Sequence, residues 1–331
     1  MKNNPLDGFV VDRAAISYIG ADLRRPECIL AEKDGTLWAA DARGGVLAIT
    51  PDGAQRLVLP TVAGVAQADP TSVPNGLAFD ADGAILIANI GADRLERLTR
   101  DGRLEILAEE IEGRPIGKIN FVVRDARGRL WITVSTRAKA WGEAIARDVA
   151  DGYVALCDGG RWRIVADGFA FANEARFDAK EEWLYVAETC GPRITRLRVA
   201  DDGALHERQT FGPERHDAFI DGIAFDAHGN LWGTHIFRDR VFAITPQGEL
   251  RILFDDVGDE AAHDRMMQAF DRGEPITPAM FAACQGRVAP ALASVTFGGA
   301  DLRTVYLGSL AGARLPYFRA PAPGLPLLHW R

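Results

Sequence analysis

Lysine is scarce in this chain. Of its 38 basic residues only five are lysines (Lys2, Lys33, Lys118, Lys139 and Lys180), and the rest are arginines. No basic cluster occurs, and the net charge at pH 7 is −8. That balance excludes a nucleic-acid partner, because neutralising a phosphate backbone needs a local excess of Lys and Arg. No apolar run approaches the roughly 18 residues of a membrane span, and the N-terminal stretch, broken by Asp7, Asp12 and Arg13, holds no apolar core of a secretion signal. The four cysteines, Cys28, Cys157, Cys190 and Cys284, show no CxxC spacing and read as reduced, buried thiols. The expectation is a cytoplasmic protein with neither a nucleic-acid nor a membrane partner. GxSxG, Walker and HExxH motifs are lacking as well, so a nucleophile elbow, a nucleotide loop and a zinc-protease helix are not expected.

What is present is an internal repeat. A polar residue, a short apolar run, a turn of Asp-x-x-Gly type and a second apolar strand recur as ECILAEKDGTLWAAD, NGLAFDADGAILIAN, NFVVRDARGRLWITV, NEARFDAKEEWLYVAE and DGIAFDAHGNLWGTH. The step from the polar residue to the second strand is eleven each time: Glu27 to Trp38, Asn75 to Leu86, Asn120 to Trp131, Asn173 to Leu184 and Asp221 to Trp232. A degraded sixth copy, ASVTFGGADLRTVYLGS, begins near Ala293. Each copy is followed by a further pair of short runs around a turn, as in GVLAITPDG and VFAITPQG, so each unit holds about four antiparallel strands. Six such units make an all-β, six-bladed β-propeller of four-stranded antiparallel blades. Length alone suggests two domains at about 150 residues each. A lone blade cannot bury both faces, however, so residues 1–331 are expected to form a single propeller domain. The strand around Ala14 to Tyr18 is expected to complete the last blade, and Trp38, Trp131 and Trp232, alike in register, are expected in blade cores.

Two segments interrupt the repeat. Residues 136–153 are Ala-rich and read as a short helix or ordered loop. Residues 255–290, between blades 5 and 6, place Ala261, Met266, Met267 and Phe270 at helical spacing, and this helical insertion is expected to act as a lid over the ring, with a packing or oligomer element as the alternative.

In a propeller the first strand of each blade lines the central channel. The residues that open these strands, Glu27, Asn75, Asn120, Asn173 and Asp221, are all carboxylates or carboxamides, and symmetry brings them together at one mouth. Oxygen donors converging with two negative charges describe a site for one divalent cation of the Ca²⁺, Mg²⁺ or Mn²⁺ type. His216 and His235 lie near the fifth of these positions but read as ordinary polar residues, and Trp141 as a side chain packed on its own loop.

The motifs PEC, KIN, FANE and IDGIAFDAHGNLW resemble the senescence marker protein 30, gluconolactonase and luciferin-regenerating enzyme superfamily of six-bladed propellers, over nearly the whole chain from about Pro26. The resemblance implies a metal site at Glu27, Asn173 and Asp221, with Asn120 close by. The cation is expected to be Ca²⁺ first, with Mg²⁺, Mn²⁺ or Zn²⁺ as alternatives. It also implies that Asp221 is both ligand and general base, in a lactonase of gluconolactonase type opening a sugar lactone or related cyclic ester. Lys118 stands where the family often carries a substrate-contacting Arg, and is expected at the rim of the site, facing the small-molecule substrate. The family's acid after the third-blade Asn is replaced by Phe121, and its Glu-Gly-Pro by Glu27-Cys28-Ile29. Alternatives that keep the metal are a phosphotriesterase, or an isomerase or lyase on an oxo-acid; a noncatalytic ligand-binding propeller is the alternative without chemistry.

Overall fold

The computed structural model describes residues 4–62, 65–67 and 69–330. Six four-stranded antiparallel sheets form the blades. Their innermost strands are Ile29–Ala31, Pro74–Phe79, Ile119–Arg124, Ala172–Phe177, Phe219–Phe225 and Leu292–Gly298. Each adjoins the next around the ring, and the last returns to the first. The ring closes as expected, with a small shift. Arg13–Ala15 form a short 3-10 turn, and the strand Ser17–Ile19 pairs with Leu315–Arg319, placing Ser17 opposite Tyr317 and Ile19 opposite Leu315.

In blades 1, 3 and 5 a hydrogen bond reinforces the constant step. There the carboxylate that opens the turn accepts from the indole N–H of the tryptophan six residues on: Trp131 Nε1 to Asp125 at 2.9 Å, Trp232 Nε1 to Asp226 at 3.1 Å, and Trp38 Nε1 to Glu32 at 2.7 Å. All three rings are buried, and a buried indole needs such a partner. The same carboxylate takes backbone N–H groups of its own turn, as Asp125 does from Arg127 and Arg129. Turn geometry and core packing are therefore specified by one pair of residues.

Blades meet closely at glycines of the inner and second strands. A Cβ on Gly222 would lie 2.5 Å from the Ala293 carbonyl oxygen, and one on Gly308 would lie 2.1 Å from the Glu27 carbonyl oxygen and 2.2 Å from Ser294 Oγ. At the ends of the inner strands remote from Glu27 and Asp221, the C-terminal segment crosses the channel. Leu325 N–H donates to Phe225 O at 2.8 Å, and Trp330 Nε1 donates to Ala31 O at 2.9 Å.

The two excursions lie on the other mouth. In the first, Trp141–Ala144 form one 3-10 turn. The second holds helices α1 (Glu260–Asp271) and α2 (Pro278–Cys284). The Asp259 side chain caps α1 by accepting from Ala262 N–H. That cap sets the helical phase, so Ala262 is buried together with Met266, Met267 and Phe270, while Ala261, expected on the buried face, is exposed. Arg147 Nη1 donates to the carbonyl of Asp271 at 2.6 Å, tying the two excursions together.

Candidate functional site

The polar residues that open the inner strands sit on β-bulges. In blade 3, Ile119 faces Val134 and Phe121 faces Thr133, leaving Asn120 as the extra residue. In blade 4 the register jumps between Ala172 and Ala175, in blade 5 between Ile220 and Ile223, and in blade 2 between Pro74 and Leu77. Asn173, Asp221 and Asn75 lie inside these jumps. A bulge re-aims a side chain out of the pleat, and repetition of the bulge around the ring turns one side chain per blade towards the axis. Glu27 precedes the first strand and does the same for blade 1. All five line one cavity.

The hydrogen bonds within this cluster leave a distinct set of atoms over. Asn75 Nδ2 donates to Glu27 Oε1 and to the Asn120 carbonyl, both at 3.1 Å, and Asn173 Nδ2 donates to Thr189 Oγ1 at 3.0 Å. Glu27 Oε2, Asn120 Oδ1 and Asn173 Oδ1 are buried with no hydrogen-bond partner. Orphaned buried acceptors are rare because each forfeits its hydration without replacement. Here three of them, from three blades, face one cavity beside Asp221. The carboxyl of Asp221 is pushed up to about 8, mainly by burial and then by repulsion from Glu174, with Arg25 opposing. Burial, and next the charge of Asp221, also raises the Glu27 carboxyl well above its ordinary range. Two acids that resist ionising and three acceptors without donors fit a bound cation, which satisfies both at once. Among the described residues no three His, Cys, Asp or Glu side chains converge as metal ligands. The two amide oxygens are therefore integral to the set, and an all-oxygen set suits a hard cation such as Ca²⁺ or Mg²⁺.

Two residues at the site were not anticipated. Arg25 lines the cavity, held by Nη2 to Asn75 Oδ1 at 2.7 Å and Nη1 to Pro74 O at 3.1 Å. Its backbone is left-handed, with φ 55°, which two-residue spacing from Glu27 does not reveal. Glu174, next to Asn173, is fully buried, and its carboxyl is raised to about 6 by burial against the opposing pull of Arg176. Its Oε2 pairs with Arg176 Nη2 at 3.0 Å, and the Arg176 guanidinium lies 4.2 Å over the Phe121 ring. The Glu in FANE was its only signal.

Lys118 lies behind the cavity wall. It is buried, its Nζ is paired with Asp93 Oδ1 at 2.8 Å and reaches the Ile90 carbonyl at 3.5 Å, and Ile90 rather than Lys118 lines the cavity. The bulge at Asn120 is the reason, since it breaks the alternation that would put residues 118 and 120 on one face. Arg25, not Lys118, is the basic residue that lines the cavity. The insertion packs against the residues of the cavity wall. Phe281 stacks on Phe237 at 3.8 Å, and Met266, Met267 and Phe270 pack in one cluster with Ile145, Phe171, Ile236 and Phe237.

His216 and His235 do not reach the cavity. They are buried together, with His216 Nδ1 and His235 Nε2 2.8 Å apart, and His235 stacks on Phe242. Burial lowers His216 from its ordinary 6.5 to about 4, with Asp217 and Arg240 nearby acting in opposite senses, and burial also holds His235 well below its ordinary value. Below pH 6.5 the unfolded chain takes up protons that the folded pair refuses, so stability falls as pH drops from 6.5 towards 4. For His216 this amounts to at most about 3 kcal/mol. Urea midpoints should therefore show a steeper loss over that window in the wild type than in a His216→Phe/His235→Phe variant; parallel curves would contradict the assignment.

The family model described as the SMP-30/Gluconolactonase/LRE-like region matches residues 26–253. The chain belongs to this family. Three solved family-type propellers share its fold. A gluconolactonase from Xanthomonas campestris is 21% identical, with a TM-score of 0.68 over 95% of this chain and 94% of that one. A protein described as a putative gluconolactonase is 18% identical, with a TM-score of 0.69 over 98% of both chains. A calcium-binding protein, regucalcin, from Agrobacterium tumefaciens is 15% identical, with a TM-score of 0.68 over 95% of this chain and 98% of that one. A search of curated protein sequences finds no match. Among the described residues no helix is long and apolar enough to cross a membrane.

Proposed function

We propose that this SMP-30/gluconolactonase-family protein is a divalent-cation-dependent lactonase. The observation that carries the reading is the set of orphaned oxygens Glu27 Oε2, Asn120 Oδ1 and Asn173 Oδ1, facing the same cavity as Asp221. These four residues would hold the cation, Ca²⁺ being the best match to two carboxylates and two amides. Names of the structural neighbours support it: two are gluconolactonases by description and one a calcium-binding protein.

A cation held by Glu27, Asn120, Asn173 and Asp221 would supply Lewis-acid polarisation of a lactone carbonyl. The chain's own groups do the rest. Asp221 accepts, on a carboxylate oxygen, the proton of the water that attacks the carbonyl carbon. The ring C–O bond then breaks and the leaving oxygen takes that proton, giving a hydroxy acid. Arg25 orients the substrate from beside Glu27, and the apolar walls exclude competing water. Lys118, through Ile90 and Asp93, positions the wall and does not touch substrate. The buried free thiols Cys28, Cys190 and Cys284 accord with the proposed cytoplasmic setting.

The test is to strip the protein with a chelator, restore Ca²⁺, Mg²⁺, Mn²⁺ or Zn²⁺ singly, and assay lactones beside a phosphotriester. Lactone opening that returns with a divalent cation is the expected result. Phosphotriester cleavage alone would move the reading to that reaction, and cation-independent rates would remove it.

A further inference from the structure

We infer that the substrate is a lactone with an apolar body, alkyl- or aryl-substituted, and not a polyhydroxylated sugar lactone; this rests on the lactonase reading above. The cavity is divided by chemistry. Its floor, at the bulges, holds Glu27, Asn75, Asn120, Asn173, Asp221 and Arg25. Its walls come from the outer ends of the second strands and the residues after them, from Phe171 before an inner strand and from the first excursion, and their apolar part is Ile90, Ile145, Phe171, Ile236, Phe237 and Leu310. The polar atoms these walls add are the indole N–H of Trp141 at the rim and the hydroxyl of Thr189, which already accepts from Asn173 Nδ2.

The floor has little to offer a sugar. The side-chain amides of Asn75 and Asn173 donate within the protein, and Arg25, held by Pro74 and Asn75, keeps its remaining N–H groups for the lactone ring it orients. The free acceptors are the ones the cation reading assigns to the metal. A sugar lactone carries several hydroxyls, and those turned to the walls would be buried without partners. Each such loss lowers affinity by about tenfold or more. An alkyl or aryl group gains in the same place.

Backbone conformation strengthens the point. Phe171 and Phe237 have φ of 61° and 64° and, among the described non-glycine residues with positive φ, they are the aromatic ones. Bulky residues avoid this region, and such strain gathers at functional sites. Both rings lie on the cavity wall, and Phe237 is braced from behind by Phe281. Asn adopts that conformation more readily, so Phe171→Asn and Phe237→Asn each place a polar group on the wall without demanding a new backbone.

The experiment compares phenyl-substituted δ-valerolactone with glucono-δ-lactone on the cation-loaded protein, after subtraction of spontaneous opening. The ratio of kcat/KM should favour the phenyl lactone by about 100-fold and fall at least about tenfold in either Asn variant. Because it is a ratio within one preparation, partial unfolding of a variant does not affect it. Equal rates, a preference for the sugar lactone, or a ratio unmoved by both variants would overturn the inference and leave the lactonase reading standing. If neither lactone is opened, the lactonase reading fails, and calorimetric binding of the corresponding lactams decides the rest. Tighter binding of the phenyl lactam by about tenfold supports an apolar ligand; equal or tighter binding of gluconolactam overturns it.

Discussion

Asp221→Asn is expected to lower kcat/KM for lactone opening by at least about 1000-fold without weakening the metal-free fold. Asp221 is nearly completely buried, and its carboxyl is driven up to about 8 chiefly by that burial and by Glu174. In the cation-free protein its charge is therefore a liability. The amide has the same shape and removes that charge, so the melting temperature of the metal-free variant should equal or exceed that of the wild type. Activity and stability move in opposite senses, as expected where a site is built for function at the cost of stability. Glu27→Gln should behave alike, since burial and Asp221 penalise its charge too. Activity and melting temperature measured on the same preparations check this. A loss of activity that tracks a loss of stability would assign Asp221 a merely structural role.

Gly308→Ala should be among the most damaging single substitutions for stability, at about 3 kcal/mol or more. The added Cβ would meet Glu27 O at 2.1 Å, Ser294 Oγ at 2.2 Å and Pro26 O at 2.9 Å. Two of these are backbone atoms that cannot rotate away. The contact also lies directly behind the Glu27 side chain, so the strain falls on the segment that carries a proposed ligand. The melting temperature should drop by about 4 °C or more. Gly142→Ala is the control, since nothing lies within 4 Å of a Cβ there, and it should be near neutral. Equal melting temperatures for the two variants would contradict the close packing of blade 6 on blade 1.

The fold was legible because its repeat recurs in register. In blades 3 and 5 the Asp125–Trp131 and Asp226–Trp232 bonds hold the spacing between turn and strand, and blades 2 and 4 keep the same step with Leu86 and Leu184 in the tryptophan's place. Glu27, Asn75, Asn120, Asn173 and Asp221 were legible as equivalent positions in successive copies, and they line one cavity. What the repeat does not govern was not legible. Ile90, Phe237 and Leu310 lie just beyond the second strands and Ile236 at the very end of one, where no periodicity is imposed. Arg25 and Phe237 reach the cavity through left-handed backbone, which composition does not announce. Lys118 shows the converse. The family resemblance put it at the rim facing substrate, whereas in the structure its ammonium is paired with Asp93 and it is not among the residues that line the cavity. The insertion was recognisable as helical from its spacing, but its role as a brace behind Phe237 depends on the Phe281 contact, which links residues distant in sequence.

The central claim is that one cation joins four blades at the channel mouth. Anomalous X-ray diffraction from crystals of the wild-type protein grown with Mn²⁺ tests it most directly. The account predicts a single strong peak at the mouth, bonded to Glu27, Asn120, Asn173 and Asp221, and absent from Asp221→Asn crystals grown alike. A map with no peak among these four side chains, or an undiminished peak in the variant, would contradict it.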